Sequence, residues 1–190
     1  MAHASILPDE VLKVIARQVG ERFSSGDRGA SPTGPQLSVA ESFPVWMLGL
    51  DATTRADQDF KSLAVNTGDW HHQLHNASGK HSMCRSTANG PNPEDWQLIS
   101  LSPASDLAVK IDATIEWIDS NVSGDPLVRI IKIPAYLLLA FWLTTSSSDE
   151  IVIIDMPKRI TKLAYHKVYP AKQFLELLSQ ERHVQGVPQP

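Results

Sequence analysis

Histidine and cysteine, two of the side chains that bind zinc in proteins, are concentrated in one short stretch of this sequence. Four of the seven histidines fall between His71 and His81, and the single cysteine follows closely. The candidate metal ligands of this stretch are His71, His72, His75, His81 and Cys84. Zinc is the metal that these residue types would hold, although we expect no obligatory cofactor.

The spacing of the histidines matches no established catalytic pattern. On a helix His71 and His75 would share a face, but the metalloprotease pattern H-E-x-x-H requires a glutamate where this chain has His72. On a strand His71 and His75 would lie on one face and His72 on the other, and a hairpin could bring His81 or Cys84 across. The favoured interpretation is structural, with the imidazoles hydrogen-bonded in a hairpin.

A thiol-dependent enzyme is the other chemistry that this stretch suggests. Cys84 precedes Arg85 and follows Lys80 and His81, and neighbouring cations lower the pKa of a thiol. A thiolate beside a histidine is the arrangement found in cysteine nucleophiles. A free cysteine is more often a small buried apolar residue, so the structural interpretation is again favoured.

Composition and charge limit the class of protein. The 190 residues are 42% hydrophobic and 20% charged, which is typical of one globular domain. The net charge of −4, with no evident cluster of Lys and Arg, predicts no nucleic-acid partner. The longest apolar run, residues 135–143, is too short for a membrane helix, and the first residues lack a secretory signal. With one cysteine, no internal disulfide can form, so we expect a soluble, cytoplasmic protein without membrane partners.

The elements that position these residues follow from hydrophobic periodicity. Helical spacing of apolar side chains predicts four helices, at residues 8–23, 53–65, 103–120 and 169–182. Alternating or continuous apolar runs predict strands at residues 69–75, 80–87, 96–101, 127–133, 135–143 and 150–155. Residues 37–50 fit either a strand or a short buried helix. Turn residues at 76–79 indicate a hairpin between the first two strands.

These elements predict a single α+β domain with an antiparallel sheet. Short connections make the last three strands a C-terminal meander packed by helices, with Pro134 at its first turn. A Ser, Gly and Pro-rich stretch indicates that the N-terminal amphipathic helix is joined through a flexible linker. The expected divisions are residues 1–23 for this helix, 24–36 for the linker, 37–184 for the globular domain and 185–190 for a disordered tail.

The apolar stripe of the N-terminal helix is the leading candidate for a binding surface, because such a helix can dock in a partner's groove. Trp117 lies at the border of the apolar stripe of the helix at residues 103–120, with Asp112, Glu116 and Asp119 predicted to face solvent. The candidate partner-binding residues are Val11, Leu12, Ile15, Val19, Phe23 and Trp117.

We therefore expect a non-enzymatic protein–protein interaction or structural assembly protein that binds a protein partner or a second copy of itself. The alternative is a metal- or thiol-dependent enzyme that uses residues 71–84. The sequence contains no Walker P-loop, Rossmann glycine fingerprint or EF-hand loop, so it gives no support to a nucleotide-binding or calcium-binding site.

Overall fold

Helices and strands together build the computed structural model, which confirms the predicted α+β class. The structure describes residues 3–4, 7–26, 38–75 and 81–184. The predicted turn at 76–79, most of the predicted linker and the predicted tail lie outside the described residues. The helices are α1 (Asp9–Gly26), α2 (Phe60–Leu63), α3 (Asp106–Asn121) and α4 (Ala171–Val184). The strands are β1 (His3–Ala4), β2 (Ser38–Leu48), β3 (Ala64–His75), β4 (Ser82–Ala88), β5 (Trp96–Ser102), β6 (Leu127–Ile133), β7 (Leu138–Thr144), β8 (Asp149–Asp155) and β9 (Val168–Pro170).

The contacts within this domain divide it into two compact units. The histidine unit comprises residues 4–45 and 68–112. The meander unit comprises residues 1–3, 46–67 and 113–190. Strands β2 and β3 and helix α3 each contribute residues to both units.

In the histidine unit the strands lie in the order β5-β4-β3-β2. The β3–β4 and β4–β5 pairs are antiparallel, which confirms the predicted hairpin. Helix α1 begins at Asp9, directly after Pro8, and Asp9 and Glu10 are placed where acidic residues stabilise a helix N-terminus. Its apolar stripe packs on the sheet in one buried cluster of Leu7, Val11, Ile15, Val19, Leu74, Cys84, Trp96 and Leu98.

Polar side chains of α1 also bind the backbone of β5, the end strand of this order. The Gln18 amide donates to the Trp96 carbonyl at 2.8 Å and accepts from the Leu98 N–H at 2.7 Å. The Arg22 guanidinium donates to the Leu98 carbonyl at 3.0 Å. Unpaired backbone groups at a sheet edge would otherwise recruit a strand from another chain. Helix α1 therefore covers this edge of β5.

The start of α3 differs from its prediction. The helix begins at Asp106 rather than at the predicted residue 103, because β5 extends to Ser102. Between them Ala104 has a positive φ of 53°, which a helix cannot accommodate. The Ser105 hydroxyl accepts the Ala108 N–H at 3.4 Å, so Ser105 occupies the cap position.

In the meander unit the strands lie in the order β6-β7-β8-β9, with every neighbouring pair antiparallel. The predicted C-terminal meander is confirmed, and the apolar β7 lies between two neighbours. Pro134 begins a 3-10 turn, Pro134–Tyr136, and this turn delays the start of β7 from the predicted residue 135 to Leu138. Helix α4 packs on this unit through three fully buried side chains, Phe174, Leu175 and Leu178.

The helix predicted over residues 53–65 is wrong. The segment holds a 3-10 turn at Leu50–Thr54, the short helix α2 and the first residues of β3. Thr53 and Thr54 donate their hydroxyls to backbone carbonyls three residues earlier, at 3.1 and 2.7 Å. Such bonds offer the backbone an alternative to a continuous helix. The ambiguous segment at residues 37–50 is the strand β2, and β9 was not predicted.

Among the described residues, no helix has the length and apolar character needed to span a membrane.

Candidate functional site

Strand β3 presents the histidine stretch on two faces, as the strand interpretation predicted. Successive side chains of a strand alternate, so His71 and Gln73 share one face and His72 and Leu74 the other. Both His71 and His72 are buried, whereas His75 at the end of the strand is exposed. The histidines of this stretch therefore have different surroundings.

His72 is fully buried between two serines of neighbouring strands. Its Nδ1 lies 2.8 Å from the Ser42 hydroxyl and its Nε2 lies 2.7 Å from the Ser86 hydroxyl. A neutral imidazole has one donor and one acceptor, and a hydroxyl can serve as either, so both nitrogens are satisfied. Burial, with a smaller contribution from the charge of His71, lowers the pKa of His72 to about 3. This arrangement stabilises a neutral histidine and joins three strands.

Cys84 lies directly opposite His72 in the β3–β4 pair. Its side chain is 1% exposed, among the apolar residues of the α1 cluster. Burial raises the pKa of the Cys84 thiol to about 12. The pKa of a reactive cysteine is lowered, so the environment of Cys84 is the reverse of what the thiol-enzyme alternative needs.

We predict that Cys84 of the folded protein is inert to alkylation at pH 7. A pKa of about 12 against an ordinary 9.0 leaves ~1000-fold less thiolate. Iodoacetamide labelling followed by mass spectrometry should proceed at least about 100-fold more slowly in the native protein than in guanidinium chloride. Comparable rates in the two conditions would contradict the prediction and revive the thiol-enzyme alternative.

A second polar network links β3 to α3 on the other face of β3. The Gln73 amide donates to the Ala108 carbonyl at 2.9 Å and to Asp112 Oδ1 at 2.6 Å. The other oxygen of Asp112 lies 2.5 Å from Nδ1 of His81, whose side chain is 44% exposed. The Nε2 of His71 lies 3.3 Å from the side-chain oxygen, Oε1, of Gln73. A chain of hydrogen bonds thus connects a buried histidine to an exposed one through an amide and a carboxylate.

A carboxylate bonded to a histidine Nδ1 orients the ring, as it does in hydrolases and in metal sites. Among the described residues, however, His81 has no bond to a serine, threonine or cysteine side chain that could act as a nucleophile. In the described part of the chain, no three His, Cys, Asp or Glu side chains are grouped to hold a metal ion. The metal-binding role of His71, His72, His75, His81 and Cys84 therefore stays a prediction.

Asp112 was predicted to face solvent, but its side chain is mostly buried. It is bonded to Gln73 and His81, and its side chain is 17% exposed. Glu116 and Asp119, predicted for the same side, are exposed.

The predicted partner-binding residues of α1 lie against their own sheet. Val11, Ile15 and Val19 are 0–4% exposed, and Leu12 and Phe23 are partly buried at the rim of the same cluster. The helix ends at Gly26 rather than at the predicted Phe23. The partner-binding role of these residues stays a prediction, and it requires α1 to leave the core.

Trp117, the remaining predicted contact residue, is partly buried in the meander unit. Its ring stacks on His166 with a centroid separation of 5.7 Å and an interplanar angle of 20°. His166 belongs to residues 156–167, which connect β8 to β9 and which we call the basic loop. Trp117 thus fixes this loop against α3.

The basic loop carries four cationic side chains. Its Lys158, Arg159, Lys162 and Lys167 are all exposed. Within the described residues, none of these four forms an ion pair. The Nζ of Lys167 lies 4.9 Å from the centroid of the Tyr169 ring. The loop is therefore a concentrated patch of accessible positive charge.

Hydrogen bonds and buried apolar side chains anchor the basic loop to the meander unit. The Glu181 carboxylate on α4 is 1% exposed and accepts the Thr161 and Lys162 N–H groups at 2.7 and 2.5 Å. The Tyr165 hydroxyl bonds both the N–H and the carbonyl of Met156 at 3.2 Å, which closes the loop between its two ends. Ile160 and Leu163 of the loop are buried in the core of the meander unit. These contacts anchor the loop to the core of the meander unit.

Sequence reasoning missed this loop, although its signal is present in the sequence. Five of the chain's 17 Lys and Arg fall within residues 156–175, and none of its 21 Asp and Glu does. The expectation that Lys and Arg are nowhere clustered is therefore wrong for this segment. The net charge of −4 conceals the cluster because the remaining chain is acidic.

Leu137 is an exposed apolar residue in a strained conformation at the end of the sheet where the basic loop begins. It follows the Pro134–Tyr136 turn with φ 53° and ψ 38°, and 69% of it is exposed. The left-handed conformation costs a non-glycine residue roughly 1–2 kcal/mol. Asn or Gly would suit this position better, so neither burial nor backbone preference explains a leucine here.

No known family model matches this chain, and comparisons with curated proteins and with solved structures find no significant similarity.

Proposed function

We propose that the protein is a non-enzymatic interaction protein that binds an anionic partner through the basic loop. The observation that carries the proposal is a set of four exposed cations on an anchored loop, none of them in an ion pair with another described residue. Cations on a protein surface are commonly interspersed with carboxylates, which offset their field. In this loop the positive electrostatic field of the exposed cations can therefore attract an anionic ligand.

Pre-organisation supports binding at this loop. A loop that must be ordered on binding loses conformational entropy, and that loss lowers affinity. Here Glu181, Tyr165 and the Trp117 stack order the loop before any partner arrives. Unneutralised positive charge also accelerates encounter with an anionic partner, in a manner that salt suppresses.

The other candidate surfaces and sites receive less support. The apolar stripe of α1 is occupied by its own sheet, so using it would require unfolding part of the histidine unit. Cys84 is buried with a raised pKa, and His81 lacks a bonded nucleophile in the described residues. The proposal therefore keeps the expected class of function, an interaction protein, and assigns it a different surface.

The test compares two variants with the same loss of positive charge. The loop variant carries Lys158→Gln, Arg159→Gln and Lys162→Gln, and the control carries Lys13→Gln, Arg17→Gln and Lys61→Gln, all at exposed positions. Fluorescein-labelled poly-L-glutamate is the probe, with fluorescence anisotropy as the readout. We expect the loop variant to bind at least about tenfold more weakly, and the control to bind within about twofold of wild type.

Circular dichroism and thermal melting establish that both variants are folded. Wild-type binding should weaken as salt increases, and the loop variant should show a smaller salt dependence. Equal weakening by the two variants would overturn the proposal, because only net charge would then matter. Absence of wild-type binding at low salt would overturn it as well.

A further inference from the structure

We infer that the partner presents a short acidic protein segment with an apolar side chain among its carboxylates, and that Leu137 contacts that apolar side chain. This inference rests on the proposed function, since it names the kind of partner that the basic loop binds. The inference is carried by the exposed apolar side chain of Leu137, which lies at the same end of the sheet as the exposed cations of the basic loop.

Strand register places Leu137 beside the basic loop. Leu139, two residues after Leu137, pairs with Asp155, the last residue of β8. The basic loop starts at the next residue, so the Pro134–Tyr136 turn and the loop emerge from the same end of the sheet. One ligand segment can therefore reach Leu137 and the first cations of the loop together.

The exposure of Leu137 in a left-handed conformation is the second argument. Three described non-glycine residues have a positive φ, Ala104, Leu137 and His166, and of these Leu137 is the large apolar one. Protein–protein contact sites have an apolar centre rimmed by polar contacts. The cations would fix the carboxylates of a partner and the leucine would select for an apolar neighbour.

Charge around the loop favours an acidic protein segment over a nucleic acid or an anionic membrane. Helix α3 carries exposed Glu116 and Asp119, which flank in sequence the Trp117 that stacks on His166 of the loop. Charges interact over about 8 Å at physiological ionic strength. A nucleic acid or an anionic membrane would meet these carboxylates as well as the cations, whereas a short acidic segment would meet only the loop. We therefore favour a protein segment.

The test uses fluorescein-labelled peptides and two matched variants. One peptide is a run of seven glutamates, and the second has leucine in place of the central glutamate. Leu137→Asn removes the apolar side chain and suits the left-handed backbone, so the fold should be retained. Val65→Thr is the control, because Val65 is a 60% exposed apolar residue of the same unit.

Wild type and Val65→Thr should bind the leucine peptide at least about fivefold more tightly than the all-glutamate peptide. Leu137→Asn should abolish that preference while leaving affinity for the all-glutamate peptide unchanged. Equal affinity of wild type for both peptides, or a preference that survives Leu137→Asn, would overturn this inference.

Three further measurements separate the two proposals and the other ligand classes. If the loop variant weakens both peptides and Leu137→Asn changes neither, this inference fails and the proposed function stands. If the loop variant changes neither peptide, the proposed function fails. Vesicles of phosphatidylcholine with one-fifth phosphatidylserine, and oligothymidylate, are tested in the same way. If either binds more tightly than the leucine peptide, and this binding depends on Leu137, the assignment to a protein segment is overturned.

Discussion

Acidification from pH 7 to pH 3 is expected to lower the free energy of unfolding by about 4 kcal/mol through His72 alone. Burial holds the pKa of His72 at about 3 in the folded protein, against an ordinary value of 6.5 once the chain unfolds. Between these two values the unfolded state binds a proton that the folded state does not. Stability from His72 is therefore fully present above pH 6.5 and is lost as the pH falls toward 3.

The physical reason is that no carboxylate of the described residues is bonded to this imidazole. Its two hydrogen-bond partners are the hydroxyls of Ser42 and Ser86, which satisfy the neutral ring but cannot neutralise a cation. A buried charge without a counterion is strongly disfavoured. The adjacent residue His71 adds repulsion when it is protonated.

The measurement is urea denaturation of wild type, His72→Gln and His75→Gln across this pH range. Glutamine does not titrate and can still bond hydroxyl groups, and His75 is an exposed control. Near pH 5 the free energy of unfolding should fall with decreasing pH more steeply in wild type than in His72→Gln, by roughly 1 kcal/mol per pH unit. His75→Gln should show the same pH dependence as wild type. Parallel curves for wild type and His72→Gln would contradict the prediction. If His72→Gln does not fold, NMR titration of wild type should show His72 neutral at pH 5.

Replacing Ile15 with alanine is expected to lower the free energy of unfolding by about 3 kcal/mol. Ile15 is 0% exposed at the centre of the cluster that joins α1 to the sheet. Truncating a buried isoleucine removes its transfer free energy and leaves a cavity. The exposed neighbour Lys13 provides the control, and Lys13→Ala should change stability by less than about 0.5 kcal/mol.

Deleting residues 1–26 extends the same prediction to the whole helix. The deletion exposes the apolar face of the sheet and frees the backbone groups of Trp96 and Leu98 that Gln18 occupies. We expect loss of cooperative unfolding and strong binding of the dye ANS, since each buried aliphatic side chain contributes about 1.5–3 kcal/mol. A truncated chain with the stability of the full protein would show instead that α1 is a separable arm, available to a partner.

Local sequence was sufficient for the elements that carry their own periodicity. The β3–β4 hairpin and the C-terminal meander follow from side-chain alternation and short connections. It was insufficient over residues 53–65, where threonine hydroxyls bonded to backbone carbonyls interrupt the predicted helix. It also could not show whether α1 packs on its own sheet, because an amphipathic stripe suits an intramolecular core and a partner's groove equally well.

For the candidate sites, too, some features could be predicted from the sequence and others depend on the tertiary structure. That His72 and His71 lie on opposite faces of a strand followed from the period of two, and the cation density of residues 156–175 could have been read from the sequence. Only the tertiary structure brings Ser42, Ser86 and His72 together, joins Gln73 and His81 through Asp112, and places Glu181 beneath the basic loop. These partners come from distant parts of the chain. Periodicity records which face a residue occupies, whereas burial and pairing depend on which other element covers that face.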